Sequence, residues 1–375
     1  MTTRDRLEAF WAGEKPDRIP LTIYGFFCVD ADRDPDWQRL FAQGLAPVYH
    51  AATFNSVAKD VETVNDTFSQ NDQEVQRTTL RTPVGEVFTT AVAGWRQKHW
   101  LRTADDYRVM TWIVEHTEIT AAPEAFSERE RAVTPHGIVL AATGRTPLQT
   151  ILVDHAGLEH FAYHLADLED EVMTLYHALL KNYRKIVEIT AEGPGRYVSV
   201  GENFTAETLG PARFRRHLLP VYEELFPALR SAGKIVGTHF DGKLASCREL
   251  IASAPINLIE SLTCPPEGDM TLAECRAAWP DKLLWANINV SLFDLPPAAL
   301  RSRIHELVRQ GAPDGRRLAL EISEDLPLNW RQSIPIVLDS LCELWEGARR
   351  FLCATRRLDN LPPRDDDSAP LRWAP

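Results

Sequence analysis

The chain reads as an α/β protein, a (β/α)8 TIM barrel with an N-terminal antiparallel or irregular insertion covering the mouth. Three observations predict it. From residue 137 onward, short apolar runs alternate with amphipathic helical stretches, which is the pattern of parallel βα units. Counted with the runs near the N-terminus, the strands reach eight, enough to close a barrel rather than leave an open sheet. Several of these runs also end on an imidazole or a carboxylate, as in Lys234-Ile-Val-Gly-Thr-His239-Phe-Asp241, Asn257-Leu-Ile-Glu260 and Arg317-Leu-Ala-Leu-Glu321. The carboxyl ends of parallel strands are where such folds carry their chemistry.

Taken in order, residues 3–13 predict an entry helix, and Glu14-Lys-Pro-Asp-Arg-Ile-Pro turns into a first strand over Ile19 to Tyr24. Residues 25 to about 135 read as the insertion, and the second barrel strand has no clear place in them. The alternating, threonine-rich stretches Val75–Thr82 and Glu86–Ala93 around Pro83-Val-Gly predict a hairpin, with a short strand near Lys59–Val64. Trp95, Trp100 and Trp112 are expected to cover the insertion's core. Gly137–Ala142 then precedes a long helical region to about Thr190, and Arg196–Gly201 precedes a helix over Ala212–Ala232. Four further units follow: Lys234–Phe240 with Leu244–Ala252, Ile256–Leu262 with Leu272–Ala278, Leu283–Val290 with Pro297–Gln310, and Arg317–Ile322 with Trp330–Trp345. The barrel is thus expected to occupy 1–355. The polar, proline-rich stretch 356–375 is expected to be a mobile tail.

Bulk properties narrow the function. A formal net charge of −12 over 375 residues works against a nucleic-acid partner, which needs a basic face. No apolar run approaches the roughly 20 residues that span a bilayer. The N-terminus lacks a signal-peptide apolar core, so a cytoplasmic location is the expectation. The six cysteines, Cys28, Cys247, Cys264, Cys275, Cys342 and Cys353, are scattered without a Cys-x-x-Cys pair and read as small buried residues rather than a disulfide framework.

If the strands lie parallel, His239, Asp241, Glu260 and Glu321 converge at one mouth, and an imidazole with three carboxylates can hold a divalent metal. Strand alternation puts residues 239 and 241 on one side. Glu324 and Asp325 are close enough to stand in for Glu321. Asp241 and Glu202 are the candidate catalytic carboxylates, Glu202 because it ends the strand after Tyr197 and can exchange a proton. Asn203, Asn287 and Cys264 are candidate substrate contacts, with Asn289 a weaker one. Plainer readings stand beside these. His239 and Asp241 can form a hydrogen-bonded pair, and Glu260 can be buried against an arginine, since an unpaired buried carboxylate is costly. His155, His160 and His164 lie on an amphipathic stretch and read as packing or surface residues, and His136 as structural.

Several stretches resemble the uroporphyrinogen decarboxylase-like superfamily. They are Arg6-Leu-Glu-Ala-Phe-Trp-Ala-Gly-Glu-Lys-Pro-Asp-Arg-Ile-Pro20, Gly201-Glu-Asn-Phe204 through Leu209-Gly-Pro211 with Phe214-Arg-Arg-His-Leu-Leu-Pro220, Gly237-Thr-His-Phe-Asp-Gly242, and the turn Thr82-Pro-Val-Gly-Glu86. The decarboxylase proper has an Arg-Gln-Ala-Gly-Arg segment after its first strand, where this chain has the apolar, then acidic Tyr24-Gly-Phe-Phe-Cys-Val-Asp-Ala-Asp. The layout is nearer the zinc-dependent methyltransferases, which move a methyl group between a corrinoid protein and a thiol or methylated substrate, and the barrel of cobalamin-independent methionine synthase. That branch uses His-x-Cys, in some members a glutamate on the next strand, and a distant cysteine. Here carboxylates replace both thiolates, which makes a harder site for zinc, iron or manganese.

The resemblance therefore implies a metal-dependent methyltransferase or demethylase acting on a small molecule. Two alternatives stand beside it: a metal-dependent lyase or decarboxylase acting on a small acid without corrinoid, and a non-catalytic binding barrel. No corrinoid-binding Asp-x-His-x-x-Gly segment is present, so any corrinoid would arrive on a separate protein. A homodimer is the other partnership expected.

Overall fold

The computed structural model describes residues 1–28, 31, 33–133 and 136–358, with side chains as far as 344. Eight parallel strands close into a barrel: β1 Leu21–Tyr24, β2 Leu45–Ala51, β3 Ile138–Ala142, β4 Tyr197–Phe204, β5 Ile235–Phe240, β6 Leu258–Leu262, β7 Leu283–Ile288 and β8 Leu318–Ile322. Each strand pairs with the next in sequence, and β8 returns to β1 with Leu320 opposite Leu21 and Glu321 opposite Thr22. Most helices fall where the pattern places them, including Leu272–Ala278 and Pro297–Gly311. The last, Trp330–Leu358, runs past residue 345 and takes in the first residues of the expected tail, and 359–375 lie outside the described residues.

The strands are apolar on both faces because both faces are covered. Val198, Val200, Val236, Ile259, Leu284, Leu318 and Leu320 pack outward under the helices. Ala46, Val48, Ile138, Leu140, Tyr197, Leu258, Leu283, Trp285 and Ala319 fill the interior. The entry helix Thr3–Trp11 closes the floor. Its N-terminus is held by a reciprocal Thr2–Asp5 capping box. Trp11 stacks on Tyr197 at 4.4 Å and meets Trp285 edge-on at 5.5 Å. With the lower barrel plugged by aromatic rings, the space left for a ligand is at the carboxyl end.

The insertion starts later than the sequence suggests. β2 occupies Leu45–Ala51, inside the stretch read as irregular from residue 25. The excursion then leaves as Phe54–Ala58 and returns antiparallel as Thr117–Ala121. Between them lie a four-stranded antiparallel sheet (Glu62–Gln70, Gln73–Thr82, Gly85–Val92, Trp95–Lys98) and the helix Ala104–Glu115. The expected hairpin is the middle of this sheet, with Thr82 opposite Gly85. The short strand expected near Lys59–Val64 is the start of Glu62–Gln70.

The insertion's described side-chain hydrogen bonds to the barrel run to residues 154–182. Asn182 Nδ2 donates to the Val114 carbonyl (2.8 Å), the Tyr107 hydroxyl meets His164 Nδ1 (3.0 Å), and Arg96 donates to the Asp154 carbonyl (2.8 Å). Tyr107, Val109, Met110, Ile113 and Val114 are buried on the inner face of its helix. It therefore braces the flank beside the helix Glu169–Glu192, because that is where its apolar face finds an apolar partner. Trp100 and Trp112 pack against the core as expected, but Trp95 is 78% exposed.

Candidate active site

Alternation decides which side chains line the lumen. Above the apolar filling, and above the inward Thr22 of β1, Ser199 of β4 and Gly237 of β5, the inward positions on successive strands are Tyr24, His50, Ala142, Gly201, His239, Glu260, Asn287 and Glu321, continuing the interior rows of each strand. Six of these eight are polar, in a layer that an apolar barrel would fill with branched side chains. The two small residues, on β3 and β4, leave room, and a Cβ built on Gly201 would meet nothing within 4 Å.

His239 is the centre of this layer. Its Nε2 lies 3.2 Å from Glu324 Oε1, and its Nδ1 lies 3.9 Å from Glu260 Oε2. His239, Asp241 and Glu324 each bring one ligand atom to within 4.8 Å of the others, the group of the described residues that could hold a metal ion. Asp241 Oδ1 is buried without a hydrogen-bond partner. Burial pulls the imidazole of His239 down, but the contact with Glu324 and the charges of Glu260 and Asp241 outweigh it, and the net shift is upward. Burial raises Asp241 despite His239, whereas the contact with His239 lowers Glu324.

Two of the expected ligands stand apart. Glu260, 1% exposed, sits on the Nδ1 side of His239, accepts from Ser199 Oγ (3.3 Å) and lies 3.7 Å from His50 Nε2. Burial opposes ionisation there, yet His50 and His239 bring the net shift down. It is placed beside the Nδ1 edge of His239, whereas Glu324 lies at the Nε2 edge. Glu321 is fully buried, and neither of its oxygens has a hydrogen-bond partner. Burial, reinforced by the charges of Glu260 and Glu324, pushes its carboxyl well above the ordinary range.

Backbone strain brings Glu324 into the group. Ser261 has φ of 60°, unusual for a residue with a side chain and costing on the order of 1–3 kcal/mol. The register of β6 on β7 shifts across it, between Ile259 and Leu262. Its hydroxyl donates to Glu324 Oε1 (2.6 Å) and accepts from Asn287 Nδ2 (2.8 Å). Asn287 is thus within the site as expected, holding Glu324 through Ser261.

The other expected site residues make contacts of their own. Glu202 points out of the barrel, in register with Val198 and Val200. It is fully buried and accepts from Tyr222 Oη (2.7 Å), Thr146 Oγ1 (2.9 Å) and the Thr146 amide (3.3 Å). Burial lifts it to about 7 against those donors, and its saturated carboxylate ties β4 to the helix Leu219–Ser231. Asn203, strained at φ 49°, accepts from Arg145 Nη2 (2.8 Å), and Nη1 of the same arginine pairs with Asp154 at 3.1 Å. Cys264 is 3% exposed among the residues packed under the helices, and burial raises its thiol to about 11. Its carbonyl accepts from Asn289 (3.0 Å), which ties the loop after β6 to the end of β7. The described cysteines are free thiols. His164 is buried on Tyr107, and the partly buried surroundings of His155 hold its imidazole down to about 4.

The sequence reading missed His50 and Tyr24. The alternation Ala46, Val48, His50 was there to find His50, but β2 had not been located. Tyr24 is 5% exposed with an unpartnered hydroxyl, and its ring stacks on Phe26 at 5.3 Å.

No family model matches the chain, and no curated protein matches it. Among solved structures it is similar to a methyltransferase from Methanosarcina mazei, with a TM-score of 0.55 at 11% identity over 92% of this chain and 99% of that one. At that identity the likeness shows the fold. A structure from work on the pneumococcal virulence factor StrH and N-glycan hydrolysis superposes more loosely, with a TM-score of 0.35 and 6% identity over 94% and 89% of the two chains.

Proposed function

We propose that this barrel is a metal-dependent methyltransferase or demethylase acting on a small molecule, with His239, Asp241 and Glu324 holding one divalent ion. The observation that carries the reading is the approach of those three ligand atoms within 4.8 Å, at the strand ends where barrel chemistry resides. The orphaned Asp241 Oδ1 fits it, because a buried carboxylate oxygen without a donor needs a positive partner. The likeness to a methyltransferase barrel supports the reaction class. One imidazole and two carboxylates suit zinc, iron(II) or manganese, and zinc is the metal proposed. A bound metal would polarise the substrate heteroatom that carries or accepts the methyl group.

The chain's own residues do the positioning. Glu260 orients the ring of His239 from behind, and the Asn287–Ser261 relay fixes the rotamer of Glu324. The apolar floor excludes water from below. If a corrinoid takes part, it is proposed to come on a separate protein. The test is elemental analysis of the purified chain beside His239→Ala, followed by a methyl-transfer assay with a methylated corrinoid protein. About one metal per chain, lost in the variant, is expected. No metal in either, even after reconstitution with zinc, iron or manganese, would sink the reading. Metal with release of carbon dioxide instead of methyl transfer would move the assignment to a lyase.

A further inference from the structure

We infer that the substrate of this mouth carries a cationic nitrogen, an alkylammonium group docked on Glu321. The inference takes the location of the reacting atom from the proposed metal site, but its own grounds are the unpartnered atoms beside that site. They are Glu321 Oε1 and Oε2, Glu260 Oε1, Asn287 Oδ1 and the Tyr24 hydroxyl. Four of the five can only accept a hydrogen bond when the carboxylates are ionised.

The amide of Asn287 is fixed by its neighbours. Ser261 spends its proton on Glu324, so it must accept from Nδ2, which leaves Oδ1 free. The Thr22 hydroxyl, beside Glu321, cannot supply the missing donor. It donates to the Leu320 carbonyl at 3.2 Å and takes the indole N–H of Trp285 at 2.8 Å. Among the described residues, no lysine or arginine pairs with Asp241, Glu260, Glu321 or Glu324, and their ion pairs are with His50 and His239 alone.

A lumen that offers acceptors and negative charge, and almost no donors, is complementary to a ligand that brings donors or positive charge. A carboxylate, phosphate or carbonyl ligand would meet the wrong partners. After one divalent ion is placed on Asp241 and Glu324, Glu260 still accepts from Ser199 and has His50 beside it, whereas neither oxygen of Glu321 has a hydrogen-bond partner. The Tyr24–Phe26 stack, with Phe26 64% exposed at the rim, adds an aromatic face suited to a methylated ammonium. Room for such a head lies opposite, over Ala142 and Gly201.

The experiment uses the full chain loaded with zinc. Calorimetric titrations compare tetramethylammonium chloride with sodium pivalate, an anion of similar bulk, on the wild type, Glu321→Gln, Tyr24→Phe and His239→Ala. Tetramethylammonium is expected to bind and pivalate not to. Glu321→Gln should weaken tetramethylammonium binding at least ten-fold with its metal content unchanged, and Tyr24→Phe should weaken it less. His239→Ala should lose metal and still bind the cation. Pivalate binding as tightly, wild-type affinity in Glu321→Gln, or loss of metal in Glu321→Gln as in His239→Ala would each overturn the inference. One zinc per chain without cation binding sinks this inference and leaves the proposed function standing. Cation binding without zinc does the reverse. Thermal melts keep the result readable, because Gln matches Glu321 in size and should leave the fold intact.

Discussion

At the scale of single residues, the three buried glutamates differ in what surrounds them. Glu202 has three donors, Glu260 has a serine and two histidines, and Glu321 has none. Glu202 is the clearest case for a pH measurement because it lies away from the metal-type ligands. Its folded value near 7 is above the ordinary 4.5. Between those values the native state binds more protons than the unfolded state, so this residue makes stability fall as pH rises from about 4.5 to about 7, and adds no further slope above. The loss is on the order of 3 kcal/mol across the window. Denaturant melts of wild type and Glu202→Gln at several pH values should show that difference in slope. Parallel curves would mean that the carboxyl is not titrating there. For Glu260 the prediction concerns the metal. If it orients His239 from the Nδ1 side, Glu260→Gln should lower metal affinity about 10–100-fold, whereas Glu324→Gln should abolish stoichiometric binding. Equal losses in chelator competition would make Glu260 a ligand.

At the scale of elements, caps and alternation account for most of what the sequence reveals. Thr103 begins the insertion's helix with a capping box. It accepts from the Asp106 amide, and Asp106 in turn accepts from the amides of Thr103 and Arg102. Thr103→Ala should cost about 1 kcal/mol, read as faster amide exchange in 104–115. Unchanged exchange would show that tertiary packing alone holds the helix. Five of the six barrel strands from β3 onward are legible because each run is apolar, short and followed by a helical period, and β4 is legible up to Gly201. β2 is not, since Leu-Ala-Pro-Val-Tyr-His-Ala carries a proline and a histidine and runs without a helix into an antiparallel ribbon. Losing β2 cost His50. The site was legible as strand-end ligand types, which gave His239, Asp241, Glu260, Asn287 and Glu321 their places in or at the mouth. Sequence spacing could not tell inward Glu260 from outward Glu202. Spacing offered Glu324 as a stand-in for Glu321, but it could not show that the strained Ser261 turns its hydroxyl to Glu324 and holds it beside His239.

At the scale of the whole molecule, the question is whether barrel and insertion behave as one body. No helix among the described residues is long and apolar enough to cross a membrane, and the exposed faces of the insertion's sheet are largely polar. Its attachment is narrow. The paired strands Phe54–Ala58 and Thr117–Ala121 join it to the barrel, and a backbone hydrogen bond from Lys59 to the His116 carbonyl (2.9 Å) closes its base. Beyond this base it is held by the buried face of the helix Ala104–Glu115 against Glu169–Glu192 and by the hydrogen bonds of Arg96, Leu101 and Tyr107 to residues 154–164. Met110 lies in the middle of that face at 3% exposure. Met110→Asp would bury a charge without a partner there, a change that costs at least about 3 kcal/mol when the group cannot escape to water. The barrel closes through its own eight strands, and the insertion's described hydrogen bonds run to the flank rather than to His239, Asp241 or Glu324. The expected outcome is therefore local detachment: rapid proteolysis within 60–115, a protected barrel fragment, and metal content still near one per chain. Loss of metal in step with proteolysis would show instead that the insertion is needed to hold the mouth, and that the flank contacts transmit to the ligands through the segment 150–167 on which the insertion rests.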